Sequence, residues 1–279
     1  KRPAFLWGPP GIGKSQIMKQ LANNLGYEFI DIRLSQLDPT DLHGIPFPAT
    51  EMVDGKEVTV MKWAPAAMLP KPGQKAIVLF DEMNTAAPSI QAAAYQIVLD
   101  RRLGEYHLPD NCVVFAAGNR ETDRGATFKM ATPLMNRFVH LELEVNFDDW
   151  QEHALRNMFH KDVVGFLTFQ KQSLFEFEAS SASRGFATPR SWEFVAQILK
   201  DCDNLPSSVL HALVAGCVGE GNAAQFMTYR ANVAQLPNPA DILSGKIKKL
   251  NSKEVSVMYA LTTGLCYELK LANDEMQKA

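Results

Sequence analysis

The segment from Gly8 to Ser15 has the residue types and the spacing needed to hold a phosphate group. It fits the pattern GxxxxGK[ST] and lies between an apolar run and a helical pattern. Glycines lack a Cβ, so successive backbone N–H groups can turn inward around phosphate oxygens, and the positive end of the following helix dipole faces the same anion. Lys14 then reaches the outer phosphates of a nucleotide, and Ser15 contributes an oxygen to Mg²⁺.

An ordinary glycine-rich turn is the alternative interpretation of this segment. From average composition such a string arises by chance in roughly one chain per hundred, and here it also has the required strand and helix beside it. We therefore predict a phosphate-binding loop. The residues expected to contact the nucleotide, including one acid from a later strand, are Gly8, Pro9, Pro10, Gly11, Ile12, Gly13, Lys14, Ser15, Gln16 and Asp81.

Two carboxylates follow directly after a second apolar run. Residues 77–80 are all apolar, and Asp81 and Glu82 come next. A buried strand that delivers two acids at its C-terminal edge places them beside the crevice in which ligands of parallel α/β sheets bind. Asp81 is expected to hold Mg²⁺ through water, and Glu82 to take a proton from an attacking water. Alone, the pattern is better explained by a solvated strand end; the phosphate-binding loop upstream favours the catalytic interpretation.

Three further polar residues stand where elements begin or end. Asn119 follows a third apolar run at 113–117, level with Glu82, where it can hydrogen-bond a γ-phosphate or orient the water; a turn-capping asparagine is the alternative. Arg137 and Arg190 each stand at the start of a predicted element. By themselves these two would be ordinary surface arginines.

The elements that must position these residues alternate short apolar runs with helical patterns, which is typical of a parallel sheet covered by helices. Near-continuous apolarity in the runs at 76–80 and 113–117 indicates strands buried on both faces. The predicted strands are residues 4–7, 28–31, 76–80, 113–117 and 138–143, and the predicted helices between them are 15–25 and 89–99.

One stretch and the C-terminal half depart from this alternation. Residues 41–66 carry Asp54-Gly55 flanked by alternating apolar residues, which predicts an inserted β-hairpin. After Asn146 the predicted strands stop, and helical patterns occupy residues 148–159, 189–202, 207–218 and 252–271. The sequence therefore predicts an α/β core over residues 1–145 and a helical domain over 146–279.

Composition limits what the protein can bind. Of 279 residues, 46% are hydrophobic and 21% are charged, so a sizeable core is expected. The 28 Lys and Arg against 31 Asp and Glu give a net charge of -3, which supplies no long-range field for nucleic acid or anionic membrane. Four scattered cysteines suggest neither a zinc site nor a disulfide framework, in keeping with a reducing cytoplasm. No apolar run approaches a membrane span, and a first residue other than Met suggests that residues precede Lys1.

Taken in order, these motifs resemble an AAA+ ATPase. The resemblance covers about residues 4–199 and rests on the phosphate-binding loop, the Asp81-Glu82 strand, Asn119, Asn136-Arg137-Phe138 and Pro189-Arg190. Asp81-Glu82-Met83-Asn84, the following Pro88 and Gln91, and the insert at 41–66 are similar to the MoxR group, the branch with a β-hairpin inserted in its second helix. The resemblance implies a P-loop core followed by a small all-α lid.

The resemblance also implies roles for the arginines and a quaternary structure. Arg137 would be the arginine finger donated to the neighbouring subunit, and Arg190 the sensor arginine of the lid; Arg120 and Arg124 compete for the finger role. A finger in trans implies a ring, expected to be a hexamer, that hydrolyses ATP with Mg²⁺. The chain departs from the group where it opens almost on the first strand, without the segment that helps to cradle adenine, and in Asn136, where many members have Asp.

The resemblance further implies a cytoplasmic chaperone-like motor that remodels or matures a protein complex, with a von Willebrand factor A domain partner. Two other classes stay open. A nucleic-acid-translocating motor of the same branch would need a basic surface, but the insert carries only Lys56 and Lys62 against four acids. A nucleotide-gated scaffold with little hydrolysis would need neither Glu82 nor Asn119.

Overall fold

The computed structural model describes residues 2–123, 128, 130, 132–177, 184–202, 204–233, 239–246, 258, 261–262, 264–266 and 269. The chain divides into two compact units, Lys1–Glu144 and Val145–Ala279. None of the helices in the described part of the chain combines the length and the hydropathy needed to span a lipid bilayer.

The N-terminal unit is built around a parallel five-stranded sheet in the order β2-β5-β8-β1-β9. This confirms the predicted fold class, and each predicted strand lies within two residues of the observed one. The elements of the unit are β1 (Ala4–Trp7), α1 (Lys14–Leu25), β2 (Glu28–Arg33), α2 (Pro39–His43), β3 (Ile45–Val53), β4 (Lys56–Ala64), β5 (Ala76–Asp81), α3 (Pro88–Asp100), β6 (Arg102–Leu103), β7 (Tyr106–His107), β8 (Val113–Gly118), α4 (Thr132–Met135) and β9 (Val139–Glu142).

Different helices cover the two faces of this sheet. Neighbouring residues of a strand point to opposite faces, so Phe5 packs in the cluster that contains Ile90 of α3, while Leu6 packs with Met18 of α1. Every residue of β5 is buried. A strand covered on both sides in this way requires the near-continuous apolar run that the sequence shows, and its end is held rigidly.

The predicted insert is an antiparallel hairpin of β3 and β4, shorter at its start than residues 41–66. Val53 pairs with Lys56 across a two-residue turn, in which Asp54 and Gly55 adopt φ of 50° and 75°. Both angles are positive, as the tight hairpin turns that favour Asp-Gly require. Asp41 belongs instead to α2, because its carboxylate accepts the N–H of Asp38 at 2.8 Å and caps the first turn of that helix.

The C-terminal unit is helical in its described part, apart from one isolated bridge between Glu176 and Ala187. Predicted helices 189–202 and 207–218 are confirmed, predicted helix 148–159 ends early at Arg156, and predicted helix 252–271 lies largely outside the described residues. The helices are α5 (Phe147–Arg156), α6 (Lys161–Phe169), α7 (Pro189–Cys202), α8 (Ser207–Val218), α9 (Glu220–Val233) and α10 (Pro239–Leu243).

The core of this unit forms around Trp192 of α7. Its ring lies against Phe166 and Phe226, and its indole N–H donates to the carbonyl of Ser173 at 2.7 Å. At the start of α7, Thr188 Oγ1 accepts the N–H of Ser191 at 3.0 Å. This cap fixes where the helix begins.

Candidate functional site

The phosphate-binding loop connects β1 to α1, and its backbone leaves no room for side chains at critical points. A Cβ on Gly8 would lie 2.6 Å from Ile12 Cδ1 and 3.0 Å from the carbonyl oxygen of Leu143. Gly13, directly before α1, has a φ of +94°, which L side chains rarely adopt. Gly8 is thus required by the close approach of the loop to its surroundings, and Gly13 by its backbone conformation. The first N–H groups of α1 face the loop.

Lys14 is buried at the base of the loop. Its Nζ donates to the carbonyl oxygens of Gly8 at 2.7 Å and Pro9 at 3.0 Å, and to Oδ1 of Asn119 at 3.0 Å. The cation is therefore held inside the loop, where it can neutralise a phosphate. The contact also places Asn119, which follows β8, beside the loop.

Ser15 and Asp81, the two residues predicted to hold Mg²⁺, are in direct contact. Ser15 Oγ donates to Asp81 Oδ2 at 2.5 Å, and Asp81 is buried at the C-terminal end of β5. A hydroxyl and a carboxylate are oxygen ligands of the kind that Mg²⁺ prefers, and two protein groups suffice because Mg²⁺ keeps several waters and takes the rest of its shell from substrate phosphates. The donor set thus fits the ion.

Glu82 follows Asp81 and has an unusual backbone conformation. Its φ is +56°, uncommon for a residue other than glycine. Its N–H donates to Asp81 Oδ1 at 2.8 Å, and its carbonyl accepts from Thr85 N at 3.0 Å and Thr85 Oγ1 at 2.8 Å. These bonds hold a strained residue in place, which separates the two adjacent carboxylates and leaves each with its own partner.

Ser35 is a site residue that the sequence analysis missed. It lies in the short turn Leu34–Gln36 after β2, and its hydroxyl donates to Glu82 Oε2. Because β2 pairs with β5, the residues after these two strands lie side by side. The available signal was a polar residue soon after a predicted strand, but its use required knowing that β2 is the neighbour of β5.

Asp31 of β2 adds a third carboxylate to this edge of the sheet. Burial and the nearby negative charges of Asp81 and Glu82 raise the pKa of Asp31, and Arg33 opposes the shift. Arg33 Nε lies 3.9 Å from Asp31 Oδ2, and its side chain is largely exposed. The site is thus electrostatically crowded with negative charge, which favours binding of a divalent cation.

Asn84, two residues beyond Glu82, was noted in the sequence only as part of a family motif. Its Nδ2 donates to the carbonyl oxygen of Asn119 at 2.7 Å. This hydrogen bond connects the turn after β5 with the residue that follows β8. Lys14, Ser15, Asp81, Glu82 and Asn119 come together at one edge of the sheet.

The arginines are placed differently. Arg137 is exposed in the turn between α4 and β9, and His140 Nε2 contacts the carbonyl of Met135 in that turn at 2.7 Å. Arg120 is engaged within its own unit, since its Nε lies 3.0 Å from Glu142 Oε2. Arg124 lies outside the described residues. Arg190 is exposed on the first turn of α7, in the C-terminal unit.

Comparison with known proteins identifies relatives of this chain. Residues 4–144 match the sequence profile of the family described as ATPase family associated with various cellular activities (AAA). Midasin of Giardia intestinalis is 27% identical over 167 residues, which are 57% of this chain and 3% of that protein. The proteasome-associated ATPase of Nakamurella multipartita is 26% identical over 183 residues, 62% of this chain and 30% of that protein. The chain thus spans no more than 30% of the length of these two relatives.

Among solved structures, the P216G mutant of RuvB from Thermotoga maritima superposes with a TM-score of 0.43 at 15% identity. The superposition covers 94% of this chain and 81% of that chain.

Proposed function

The chain belongs to the AAA family of ATPases, and from that premise we propose that it is a Mg²⁺-dependent ATPase that acts as a ring and remodels a partner protein. The observation that carries the proposal is the meeting of Lys14, Ser15, Asp81, Glu82 and Asn119 at one edge of the sheet. In this proposal they supply the parts that phosphoryl transfer requires: a phosphate cradle, a metal position, a base and a polar group that orients water.

The two acids divide the work between them. Asp81, paired with Ser15, would hold Mg²⁺, which when bound neutralises charge on the β- and γ-phosphates. Glu82 is free of that pair and acts as the general base that accepts a proton from the attacking water. Its Oε2 accepts from Ser35, and the second oxygen of the carboxylate leaves it a further position at which to accept a proton. Asn119 hydrogen-bonds the γ-phosphate or the water from the end of β8.

Arg137 completes the site of a neighbouring subunit. It is exposed and makes no ion pair among the described residues, as expected of a side chain that serves a second copy. An arginine finger contributes roughly 10³ to 10⁵ in rate, or about 4 to 7 kcal/mol of barrier. A subunit without its neighbour should therefore be nearly inactive, which favours a ring, in our proposal a hexamer. Arg190 would contact nucleotide from the helical lid.

The partner is proposed to be a folded protein, as in the MoxR group, with a von Willebrand factor A domain protein as one candidate. Apolar side chains are exposed on both faces of the β3–β4 hairpin; examples are Phe47 and Met61. Of its two lysines, Lys62 is paired with Glu51 at 2.5 Å. The hairpin therefore offers a protein more contact area than it offers a nucleic acid, and the relative from Nakamurella multipartita is named for association with the proteasome, a protein complex.

ATP turnover per subunit, measured against protein concentration, tests this function. We expect it to rise from nanomolar to micromolar protein. Arg137→Ala and Glu82→Gln should bind nucleotide but lose at least about a hundredfold in turnover. Arg156→Ala is the control, since Arg156 is an exposed arginine of α5 paired only within its helix.

Three outcomes would change the proposal. Equal turnover at both concentrations without an oligomer would exclude a finger in trans. Tight nucleotide binding without turnover in the parent protein would favour a scaffold. Stimulation by DNA, with none by protein, would favour a nucleic-acid motor.

A further inference from the structure

Asn84 is a buried polar residue whose side chain is only half satisfied. Just 2% of it is exposed, in the turn between β5 and α3. Its Nδ2 donates to the carbonyl oxygen of Asn119 at 2.7 Å, while its Oδ1 is buried with no hydrogen-bond partner among the described residues. A buried acceptor left without a partner costs stability, whereas an apolar side chain of the same shape would not carry that cost. Stability alone therefore does not account for asparagine at this position.

The surrounding backbone is built to admit this side chain. A Cβ on Gly118, the last residue of β8, would lie 2.3 Å from Asn84 Oδ1 and 3.0 Å from Phe5 Cζ. The carbonyl oxygen of Asn84 accepts the N–H of Phe128 at 2.7 Å, which holds the residue from its other side. Asn84 thus fits closely between the end of β8 and the main chain of Phe128.

A chain of two hydrogen bonds then leads from this turn to the phosphate-binding loop. Asn84 holds the main chain of Asn119, and the side chain of Asn119 accepts from Lys14 Nζ at 3.0 Å. Because Asn84 holds the main chain of Asn119, only rotation about the side-chain bonds of Asn119 can still move its amide. The place of its amide therefore depends on Asn84, and a misplacement of about 1 Å can cost on the order of 10²-fold in rate.

From this geometry we infer that Asn84 is a positioning residue, which holds Asn119 so that its amide stays beside Lys14 while the γ-phosphate is cleaved. The inference rests on the proposed ATPase function and adds to it the residue that places Asn119. Asn84 acts on turnover through Asn119 and contributes little to nucleotide affinity, because the loop and Lys14 bind the phosphates without it.

Asn84→Leu tests the inference, since leucine has a similar volume but no amide. We expect the unfolding midpoint to change little, because the variant removes an unpartnered acceptor but also takes the donor from the carbonyl oxygen of Asn119. The Kd for a nucleotide analogue should stay within about twofold, and kcat for ATP should fall about tenfold. Asn222→Leu is the matched control, because Asn222 is also a buried asparagine with an unpartnered Oδ1 among the described residues, but lies in the C-terminal unit.

A double-mutant cycle with Asn119→Ala shows whether Asn84 acts through Asn119. If it does, Asn84→Leu lowers kcat in the parent but has little further effect once Asn119 is alanine. If Asn84→Leu lowers the unfolding midpoint, the cycle is repeated with Asn84→Ala at a temperature below the unfolding midpoints of both Asn84 variants. A parental kcat for the Asn84 variants, or losses that add fully with Asn119→Ala, overturns the inference.

The two failures can be distinguished by the parent protein and Glu82→Gln. If the parent turns over ATP, Glu82→Gln does not, and Asn84→Leu behaves as the parent, only the inference fails. If the parent and Glu82→Gln show the same negligible turnover, the proposed function fails, and the inference fails with it.

Discussion

Adjacent carboxylates can take different roles when the backbone between them is twisted, and this is how Asp81 and Glu82 differ. Asp81 ends a buried strand and pairs with Ser15, whereas Glu82 has a φ of +56° and pairs with Ser35. A left-handed residue of this kind costs on the order of 1 kcal/mol or more, and the Thr85 contacts hold it in place. The strained residue is therefore the proposed base itself.

Individual site residues were predictable where the signal is local. The phosphate-binding loop, Asp81, Glu82 and Asn119 each follow an apolar run, so motif and strand could be recognised together. Ser35 and Asp31 were not predicted, because their relevance depends on β2 pairing with β5, and the residues of these two strands are more than 40 positions apart in the chain.

Asp31 should make the stability of the protein depend on pH. Burial and the charges of Asp81 and Glu82 raise its pKa above the ordinary value of 3.8, so its ionised form is less favourable in the folded protein than in the unfolded chain. Stability is then lost as pH rises from the unfolded to the folded pKa, and the loss persists above it. Asp31→Asn should raise the unfolding midpoint at pH 7, with a benefit that shrinks to nothing below about pH 3.

Thermal unfolding of Asp31→Asn across this pH range, in the absence of divalent cations, checks the prediction. Glu57→Gln removes an exposed carboxylate from the β3–β4 hairpin and is the control. An Asp31→Asn midpoint equal to or below that of the parent at pH 7 would show that Arg33 outweighs the neighbouring acids.

At the scale of elements, the order of the strands creates the site. β5 lies between β2 and β8, so the turns that carry Ser35, Glu82 and Asn119 are neighbours. The strands themselves were predictable from apolar runs, and the hairpin from Asp54-Gly55, since both signals are local. Helix α2 was missed because it is short, and its capping by Asp41 was hidden inside a stretch interpreted as hairpin.

His140 of β9 links the turn that carries Arg137 to β1. Its Nε2 contacts the carbonyl of Met135 at 2.7 Å, and its Nδ1 accepts from Trp7 Nε1 at 2.8 Å. His140→Phe keeps a ring at this position but removes both bonds. Because the bonds are exposed to solvent, we expect a loss of at most about 1 to 2 kcal/mol in the free energy of unfolding. The proposed finger loses one of the contacts that hold its turn, so kcat should fall several-fold at unchanged KM.

Steady-state kinetics and denaturant unfolding of His140→Phe, beside Val139→Thr on the same exposed strand, measure this effect. A KM that rises with unchanged kcat would mean that His140 acts on nucleotide binding through Trp7, which directly precedes the phosphate-binding loop.

At the scale of the whole molecule, the helical unit shows where sequence patterns stop being decisive. The pattern at α7 has Trp192, Val195, Ala196 and Leu199 at helical spacing, and its bounds were predicted correctly. In α6, residues 163–167 are all buried. Their apolar side chains therefore show neither the helical nor the strand periodicity, so the pattern alone does not distinguish a helix from a strand. α9 was missed for the opposite reason, because polar residues interrupt its few buried positions.

Mixing two inactive variants tests whether the proposed ring shares its sites. Arg137→Ala keeps Glu82 but has no finger to donate, while Glu82→Gln keeps Arg137 but cannot hydrolyse in its own site. In a ring of identical contacts, a site is active when an Arg137→Ala subunit receives its finger from a Glu82→Gln neighbour. Equal amounts, mixed at random, should therefore regain about a quarter of parental turnover. The measurement is ATP turnover of the mixture against each variant alone. Arg137→Ala mixed with the Arg137→Ala/Glu82→Gln double variant is the control and should stay inactive. An oligomer that regains no activity in the first mixture would show that Arg137 serves the site of its own subunit, since each half of a site would then be lost within one chain.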